Sequence, residues 1–324
     1  MQKSLGPLLV PFGGPLNVAM QEFGRGRPVL SVVGGLHGDA YNGVYTCHLL
    51  IEWLRRQELR QGPYQLRGKV RVLPAVNPPG LLLASRHWPF DNTDLDRVFP
   101  GYAQGETTQR LASWVFEQVR HSDCCVELHG PENHLAEWPR VQVYHSQPRA
   151  LDLAQILGLP VVWVRRRSTA KTAHCYELPV RTQGTLAHNL SQAGVDVLVI
   201  RAGGGQAIEP EYCTRVFAGL VRLMLHMGIV LGPPPEPPGT ASPRVVTGTA
   251  VQPVHCRTPG LFVPAAVLGE SLAEGEVLAQ VVDPLRGETL ERVHTTEPGL
   301  LIALRTHPVV MQGALVACLV RDGH

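Results

Sequence analysis

Residues 32–43 read Val-Val-Gly-Gly-Leu-His-Gly-Asp-Ala-Tyr-Asn-Gly, in which a β-branched strand stops at paired glycines and His37 comes two residues after them. A second apolar run, at 124–128, leads in the same way into His129 and a glycine. The carboxyl ends of parallel strands meet at one edge of an open α/β sheet, where such sheets bind their ligands. We therefore expect His37 and His129 to converge, and two converging imidazoles indicate a metal site.

Strand and helix patterns alternate through the first two-thirds of the chain. This alternation predicts an α/β fold, in which a mostly parallel sheet is flanked by helices. The predicted strands are 29–33, 70–76, 124–128, 141–144, 161–164 and 195–200. The predicted helices are 41–60, 107–120, 149–157, 183–193 and 209–228.

A proline-rich segment divides the chain. Residues 232–239 read Gly-Pro-Pro-Pro-Glu-Pro-Pro-Gly, which cannot continue the preceding helix. We expect an α/β domain over 1–232, a linker over 233–239 and a small all-β barrel or sandwich domain over 240–324. Short strands separated by Gly, Glu and Pro turns support the last assignment, at 260–264, 277–282 and 299–304.

Composition narrows the class of ligand. The 324 residues are 44% hydrophobic and 17% charged, and the formal net charge is +2, so neither nucleic acid nor a membrane surface is expected as a partner. A small molecule is the better expectation. The seven cysteines are an odd number without a Cys-x-x-Cys pair, and no stretch approaches the ~20 apolar residues that span a bilayer. Together with the lack of a cleavable signal pattern, this predicts a cytoplasmic protein.

A polar, turn-rich stretch follows the second predicted strand. It contains Asn77 in an Asn-Pro turn and two arginines, Arg86 and Arg97. One arginine could polarise a carbonyl and the other could bind a carboxylate. The alternative is a solvated loop whose arginines pair with its own acids, which are Asp91, Asp94 and Asp96.

Taken in order, these motifs resemble the succinylglutamate desuccinylase and aspartoacylase family. The matching features are Gly-Gly-x-His-Gly-Asp-x-x-Asn-Gly, the Asn-Pro turn, Arg86, the 94–101 segment, Glu127-Leu128-His129-Gly130, the glycine-rich turn 202–205 and the C-terminal β domain. The resemblance implies a zinc-dependent amide hydrolase with a carboxypeptidase-like mixed sheet flanked by helices. It further implies a small all-β domain after that sheet.

The resemblance also implies roles for single residues. His37 and His129 would be zinc ligands, Arg86 would polarise the scissile carbonyl, and Arg97 would hold the substrate carboxylate. Asn77 joins the two arginines in the expected substrate-binding set. The substrate would be an N-acyl amino acid or a related small amide that carries a carboxylate.

Three positions depart from the family pattern. Ala40 stands where the family has a metal-binding glutamate, Arg201 replaces its general-base glutamate, and Asp96 replaces the asparagine beside the carboxylate-binding arginine. Two histidines alone bind zinc weakly, so a third donor is needed. The candidates are Asp39, Glu127 and Asp96, and Asp39, which adjoins the lost ligand, is placed in the expected metal set.

The charge change leads to a further expectation. Two lost carboxylates and one gained guanidinium make the pocket strongly positive unless an acid compensates. We therefore expect Asp96 to form an ion pair with Arg201. Arg201 cannot serve as a base, because a guanidinium stays protonated. A hydrolytic protein would need Asp96, Asp39 or Glu127 in that role.

Two functions stay open at this point. The first is a zinc-dependent deacylase with a rebuilt active site, whose catalytic residues are Arg86, Asp96 and Arg201. The second is a non-hydrolytic relative that binds a carboxylate ligand or forms part of a larger complex. In either case the C-terminal β domain is where a homo-oligomer or a protein partner would form. We favour the enzyme, because packing alone does not explain two histidines at strand ends.

Overall fold

The fold is given by a computed structural model that describes residues 2–4, 16–131, 134–165, 182–235, 242–247 and 250–322. Its helices are α1 Tyr41–Glu58, α2 Pro78–Leu82, α3 Thr107–Val119, α4 Pro148–Ile156, α5 Leu186–Gln192 and α6 Pro210–His226, with 3-10 turns at Leu95–Arg97 and Thr182–Gly184. The strands up to α6 are β1 Gln2–Ser4, β2 Ala19–Gly24, β3 Val29–Val33, β4 Gln65–Leu66, β5 Lys69–Leu73, β6 Cys124–His129, β7 Leu135–Tyr144, β8 Val161–Arg165 and β9 Asp196–Gly204. The later strands are β10 Val230–Leu231, β11 Arg244–Thr247, β12 Val251–His255, β13 Gly260–Pro264, β14 Ser271–Leu272, β15 Val277–Asp283, β16 Glu288–His294, β17 Gly299–Arg305, β18 Val309–Val310 and β19 Leu315–Arg321.

Thirteen of the described strands form one sheet. Its hydrogen-bonded path is β1-β2-β5-β3-β6-β9-β7-β17-β19-β12, with β8 between β7 and β11 and with β14 on β17. The centre of the sheet, from β5 through β3 and β6 to β9, is parallel. Strand β7 is antiparallel to β9, and β2 is antiparallel to β5. The predicted α/β fold with a mixed sheet flanked by helices is confirmed.

The two faces of the central sheet bury different side chains. Leu30 and Val32 of β3 pack with Leu50 of α1 in a core that also includes residues of α4 and α6. Val33 and Cys125 point to the opposite face, in the core built with α3 and α5. Because side chains alternate along a strand, Glu127 and His129 of β6 share the face of Cys125. The α3/α5 face is thus where the candidate site side chains of β6 lie.

The C-terminal strands form a β-sandwich, as predicted. Strands β16, β15, β13 and β18 make a four-stranded antiparallel sheet. Its Phe262 and Val281 pack against Leu301 and Leu319 of β17 and β19. Strand β17 also pairs with β7, so the large sheet continues into this part of the chain. The linker predicted at 233–239 lies outside the described residues from 236 onward, and the domain boundary stays a prediction.

Two smaller observations bear on composition. Each of the six cysteines in the described ranges is a buried free thiol. Within those ranges no helix is both long enough and apolar enough to cross a membrane.

Candidate metal centre and active site

The two histidines meet at the carboxyl end of the sheet. Strands β3 and β6 are parallel neighbours; His37 lies in the connection after β3, and His129 is the last residue of β6. The ring centroids are 5.2 Å apart, and the two Nδ1 atoms are 3.4 Å apart. Both residues are buried, with 2% exposure for His37 and 6% for His129. Their roles as metal ligands stay predictions.

The outer nitrogen of each ring faces a carboxylate. Nε2 of His37 lies 3.0 Å from Oδ1 of Asp94, and Nε2 of His129 lies 3.1 Å from Oε2 of Glu127. The ionised carboxylate of Asp94 only accepts hydrogen bonds, so the ring proton of His37 is assigned to Nε2 and its lone pair to Nδ1. His129 has the same tautomer when Glu127 is ionised, which a bound cation would favour. The two facing lone pairs repel each other unless a cation or a proton lies between them. Carboxylate–histidine pairs of this kind orient metal-binding imidazoles.

Asp94 holds several groups of the site together. Besides its contact with His37, Oδ1 accepts a hydrogen bond of 3.0 Å from the Asp96 amide. Its other oxygen lies 3.5 Å from Nη2 of Arg86 and 3.6 Å from Nε of Arg97. Burial alone would raise the pKa of Asp94, but the hydrogen bond from His37 and the charge of Arg86 hold this pKa well below its ordinary value. Asp94 is therefore ionised at neutral pH.

Burial is the largest cause of the pKa shifts of the other pair, His129 and Glu127. Burial, together with the charges of His37, Arg201 and Arg86, lowers the pKa of His129 well below its ordinary value. The ring is therefore neutral at neutral pH, as a metal ligand must be. Burial and the charge of Asp96 raise the pKa of Glu127 well above its usual range. A cation at the centre would oppose this second shift.

A third potential ligand comes from the loop before α3. Donor atoms of His37, His129 and Asp96 all lie within 4.8 Å of one another. Two imidazoles and a carboxylate are a donor set that suits zinc and leaves a fourth position open. Asp39, expected in the metal set, is not in this group, and Ala40 is a buried methyl at the start of α1. Oδ1 of Asp39 is buried and has no hydrogen-bond partner among the described residues.

Arg201 lies beside the histidines on the sheet. It pairs with His129 across β6 and β9 and with Arg140 across β9 and β7. Arg201 is 9% exposed and Arg140 is 0% exposed. Arg140 contacts Glu137 at 3.1 Å and stacks over the Trp163 ring at 4.6 Å. The ion pair expected between Asp96 and Arg201 stays a prediction.

Two asparagines of the motifs serve the surrounding loops. Oδ1 of Asn77 accepts from the Gly80 amide at 2.9 Å and so caps α2. Asn77 is fully buried, and its part in substrate binding stays a prediction. The side-chain amide of Asn42 makes two hydrogen bonds with Glu209: Nδ2 donates to Oε2 at 2.5 Å, and Oδ1 accepts from the backbone amide at 2.8 Å. Glu209 in turn accepts from the Gly204 amide at 3.0 Å, which anchors the glycine turn that follows Arg201.

Sequence reasoning gave too little weight to two of these residues. The sequence predicts Asp94 as a partner of the loop arginines and as part of the 94–101 segment, but not as a contact of His37. An Asp two residues before the Asp96 amide is a typical side-chain cap. Glu209 was read only as part of a helix start. Its pairing with Asn42 joins positions 167 residues apart, which no local pattern reveals.

Known proteins share this arrangement of elements. The succinylglutamate desuccinylase/aspartoacylase catalytic domain matches residues 27–227. The N-alpha-acetyl-L-2,4-diaminobutyric acid deacetylase of Halomonas elongata is 25% identical over 327 residues, covering 98% of this chain and 87% of that protein.

Two crystal structures share the fold at lower identity. A succinylglutamate desuccinylase/aspartoacylase from Rhodobacter sphaeroides is 23% identical with a TM-score of 0.78, covering 100% of this chain and 96% of its own. The product-bound ectoine utilization protein EutE (DoeB) of Ruegeria pomeroyi is 21% identical with a TM-score of 0.75, covering 94% and 89%. The match to the catalytic domain extends over most of the α/β part, including both histidines and the loop with Asp94. The chain therefore belongs to the succinylglutamate desuccinylase/aspartoacylase family.

Proposed function

We propose that this protein is a zinc-dependent deacylase of N-acyl amino acids or related small amides that carry a carboxylate. The observation that carries the proposal is the pair of Nδ1 atoms 3.4 Å apart, with each Nε2 held by a carboxylate. Membership of the family and the likeness to a relative named as a deacetylase support the same reaction type.

We assign a separate role in the reaction to each of the site residues. His37 and His129 would hold the zinc ion, which when bound supplies Lewis-acid polarisation and activation of water. Arg86 would donate hydrogen bonds to the scissile carbonyl oxygen as negative charge develops on it. Arg97 would bind the substrate carboxylate, with Asn77 nearby. Both arginines keep solvent-exposed surface, 21% for the Arg86 side chain and 33% for Arg97, so a ligand can reach them.

Hydrolysis would need a base that takes a proton from the attacking water. That base would be a carboxylate, because Arg201 stays protonated. Asp94 is unsuited, since two arginines and His37 stabilise its ionised form. Asp39, Asp96 and Glu127 remain as acceptors. Arg201 adds positive charge near the centre and would stabilise an anionic substrate or product.

Arg201 also favours a second candidate function. A buried guanidinium at the position of the family's general base suits a protein that binds a carboxylate without hydrolysing an amide. In that case the protein would be a ligand-binding relative or a subunit of a larger complex. Its C-terminal β domain would then serve a homo-oligomer or a protein partner.

Metal analysis with a substrate screen tests the proposal. The protein is expressed with ample zinc, its metal content is measured, and N-acetyl and N-succinyl amino acids, including Nα-acetyl-2,4-diaminobutyrate, are assayed for amine release. We expect near-stoichiometric zinc and hydrolysis of at least one substrate. The His37→Ala/His129→Ala variant should lose both.

Two outcomes would count against the proposal. Wild-type protein without zinc would contradict the proposed cofactor. Stoichiometric zinc without turnover of any substrate, together with calorimetric binding of a carboxylate product, would favour the second candidate. Neither a nucleic acid nor a membrane is expected as a partner, and the cytoplasmic location stays a prediction.

A further inference from the structure

The start of α1 leaves the two histidines without a carboxylate. Ala40 precedes the helix and has no donor atom, and the first turn of α1 contains no acidic residue. Among the described residues, one group of His, Cys, Asp or Glu side chains could hold a metal ion, and it consists of His37, His129 and Asp96. The missing donor is therefore replaced from a different segment of the chain.

The backbone around Asp96 is fixed from two sides. Oδ1 of Asp94 accepts hydrogen bonds from Nε2 of His37 and from the Asp96 amide, each at 3.0 Å. One carboxylate therefore sets the His37 ring and the Asp96 main chain relative to each other. Oδ1 of Asp96 accepts from the Leu186 amide at 3.0 Å, at the start of α5. Among the described residues, the second oxygen of Asp96 has no hydrogen-bond partner.

The spacing of the donor atoms is close to that of a zinc site. Tetrahedral zinc with bonds of about 2.0–2.1 Å sets its ligand atoms roughly 3.3 Å apart. The two Nδ1 atoms, 3.4 Å apart, already have this separation. Donor atoms of His37, His129 and Asp96 all lie within 4.8 Å of one another, so a movement of at most about 1.5 Å would bring them to the separation of zinc ligands.

We propose that Asp96 is the third protein ligand of the zinc ion, in place of the carboxylate that is missing at Ala40. This inference rests on the proposed function, because it assumes that His37 and His129 bind zinc. The ligand set is then two imidazole Nδ1 atoms and one oxygen of Asp96, with a fourth position open to water or substrate. The family's first helix no longer contributes to the metal, and the loop before α3 takes over that task.

Zinc affinity of the Asp96→Asn variant tests the inference without an activity assay. Asparagine keeps an oxygen that accepts from the Leu186 amide, so the loop is expected to stay folded. Loss of an outer partner of a ligand costs 10–100-fold in metal affinity, so loss of a direct ligand should cost at least about 100-fold. Competition with a chelator measures this change. Cobalt substitution gives a second readout, because the visible absorption of bound cobalt changes with its ligand set.

Two matched variants serve as controls. Asp91→Asn removes a carboxylate from the same loop, where Asp91 accepts from the Thr93 amide and the Thr108 hydroxyl, and it should keep wild-type affinity. Asp39→Asn removes the acid next to Ala40 and should also keep it. Circular dichroism of the zinc-free proteins checks folding. If Asp96→Asn is unfolded, Asp96→Ser is measured instead, since its hydroxyl can also accept from the Leu186 amide.

Each outcome decides the question. A selective loss of zinc in the Asp96 variant supports the inference. Wild-type affinity in folded Asp96→Asn, or a loss found in Asp39→Asn instead, overturns it and leaves the proposed deacylase intact. A wild-type protein that binds no zinc overturns both.

Discussion

Asp94 combines the two interpretations of the polar loop, which were a solvated loop with internal ion pairs and a part of the site. The arginines do pair with an acid of their own loop, as residues of an ordinary solvated loop would. The same carboxylate accepts from His37 and caps the turn that holds Asp96. The loop's internal ion pairs are therefore part of the site, and they keep both arginines beside the histidines.

Glu127 contacts Nε2 of His129, and we expect its variants to separate the effect of ring orientation from that of charge. Glu127→Gln keeps an oxygen that accepts from Nε2 of His129, so zinc affinity should fall less than about 10-fold, whereas Glu127→Ala should lose about 10–100-fold. Chelator competition measures both variants. Equal losses would mean that the charge of Glu127, and not its hydrogen bond, matters to the metal.

Arg97 is expected to recognise a carboxylate through its planar fork. Lysine keeps the positive charge but cannot donate two parallel hydrogen bonds to a carboxylate. Arg97→Lys should therefore raise KM by about 10–100-fold, which corresponds to the loss of one charge-assisted hydrogen bond, while kcat changes little. The same substrate with its carboxylate converted to a carboxamide is the control and should show no such increase. A larger effect on kcat than on KM would contradict this role.

At the scale of elements, strand ends and the loops beside them build the site. The alternation in Glu127-Leu128-His129 puts Glu127 next to His129 on one face, as period-2 geometry requires. Three loops then meet over that face, namely 34–40 after β3, 83–101 before α3, and the start of α5. Their meeting depends on close backbone approaches that small residues allow.

Gly38 is one such approach. A Cβ at this position would fall on the backbone of Gly80 and Ser85, so the two loops would have to separate. Gly38→Ala should lower the free energy of unfolding by about 2 kcal/mol or more and weaken zinc binding, because His37 moves with its loop. Urea denaturation measures the first effect. Gly205→Ala, where a Cβ meets nothing within 4 Å, is the matched control and should change stability by less than about 0.5 kcal/mol.

At the scale of the whole molecule, β7 joins the α/β part to the C-terminal sandwich. Glu137 of β7 lies opposite Gly203 of β9 on one side and Ala303 of β17 on the other. Its ion pair with Arg140 is fully buried, so the charges are enclosed where the two parts of the sheet meet. A pair in this position couples the stability of the sandwich to that of the central sheet.

Removing one partner of the Glu137–Arg140 ion pair should lower the free energy of unfolding more than replacing both partners with apolar residues. Glu137→Ala leaves a buried guanidinium without its carboxylate and should lower the free energy of unfolding by about 3–5 kcal/mol. The double variant Glu137→Leu/Arg140→Leu removes both charges and should recover most of that loss. Urea denaturation of the zinc-free proteins compares them. A single variant that loses under about 1 kcal/mol would show that the pair is not important for stability.

The sequence by itself determined the central strands of the α/β sheet, its long helices and the family, because hydrophobic periodicity and short glycine-bounded motifs are local properties of the chain. Strands β2 and β19 and helix α2 were not predicted from it. It was enough to predict that His37 and His129 follow neighbouring strands. Only the tertiary structure decided which acid gathers with them, since Asp96 lies 59 residues after His37 in the chain and reaches the histidines through Asp94 and the Leu186 amide. Adjacency in sequence had favoured Asp39. Distances between loops depend on packing over the whole sheet, and no local pattern encodes them.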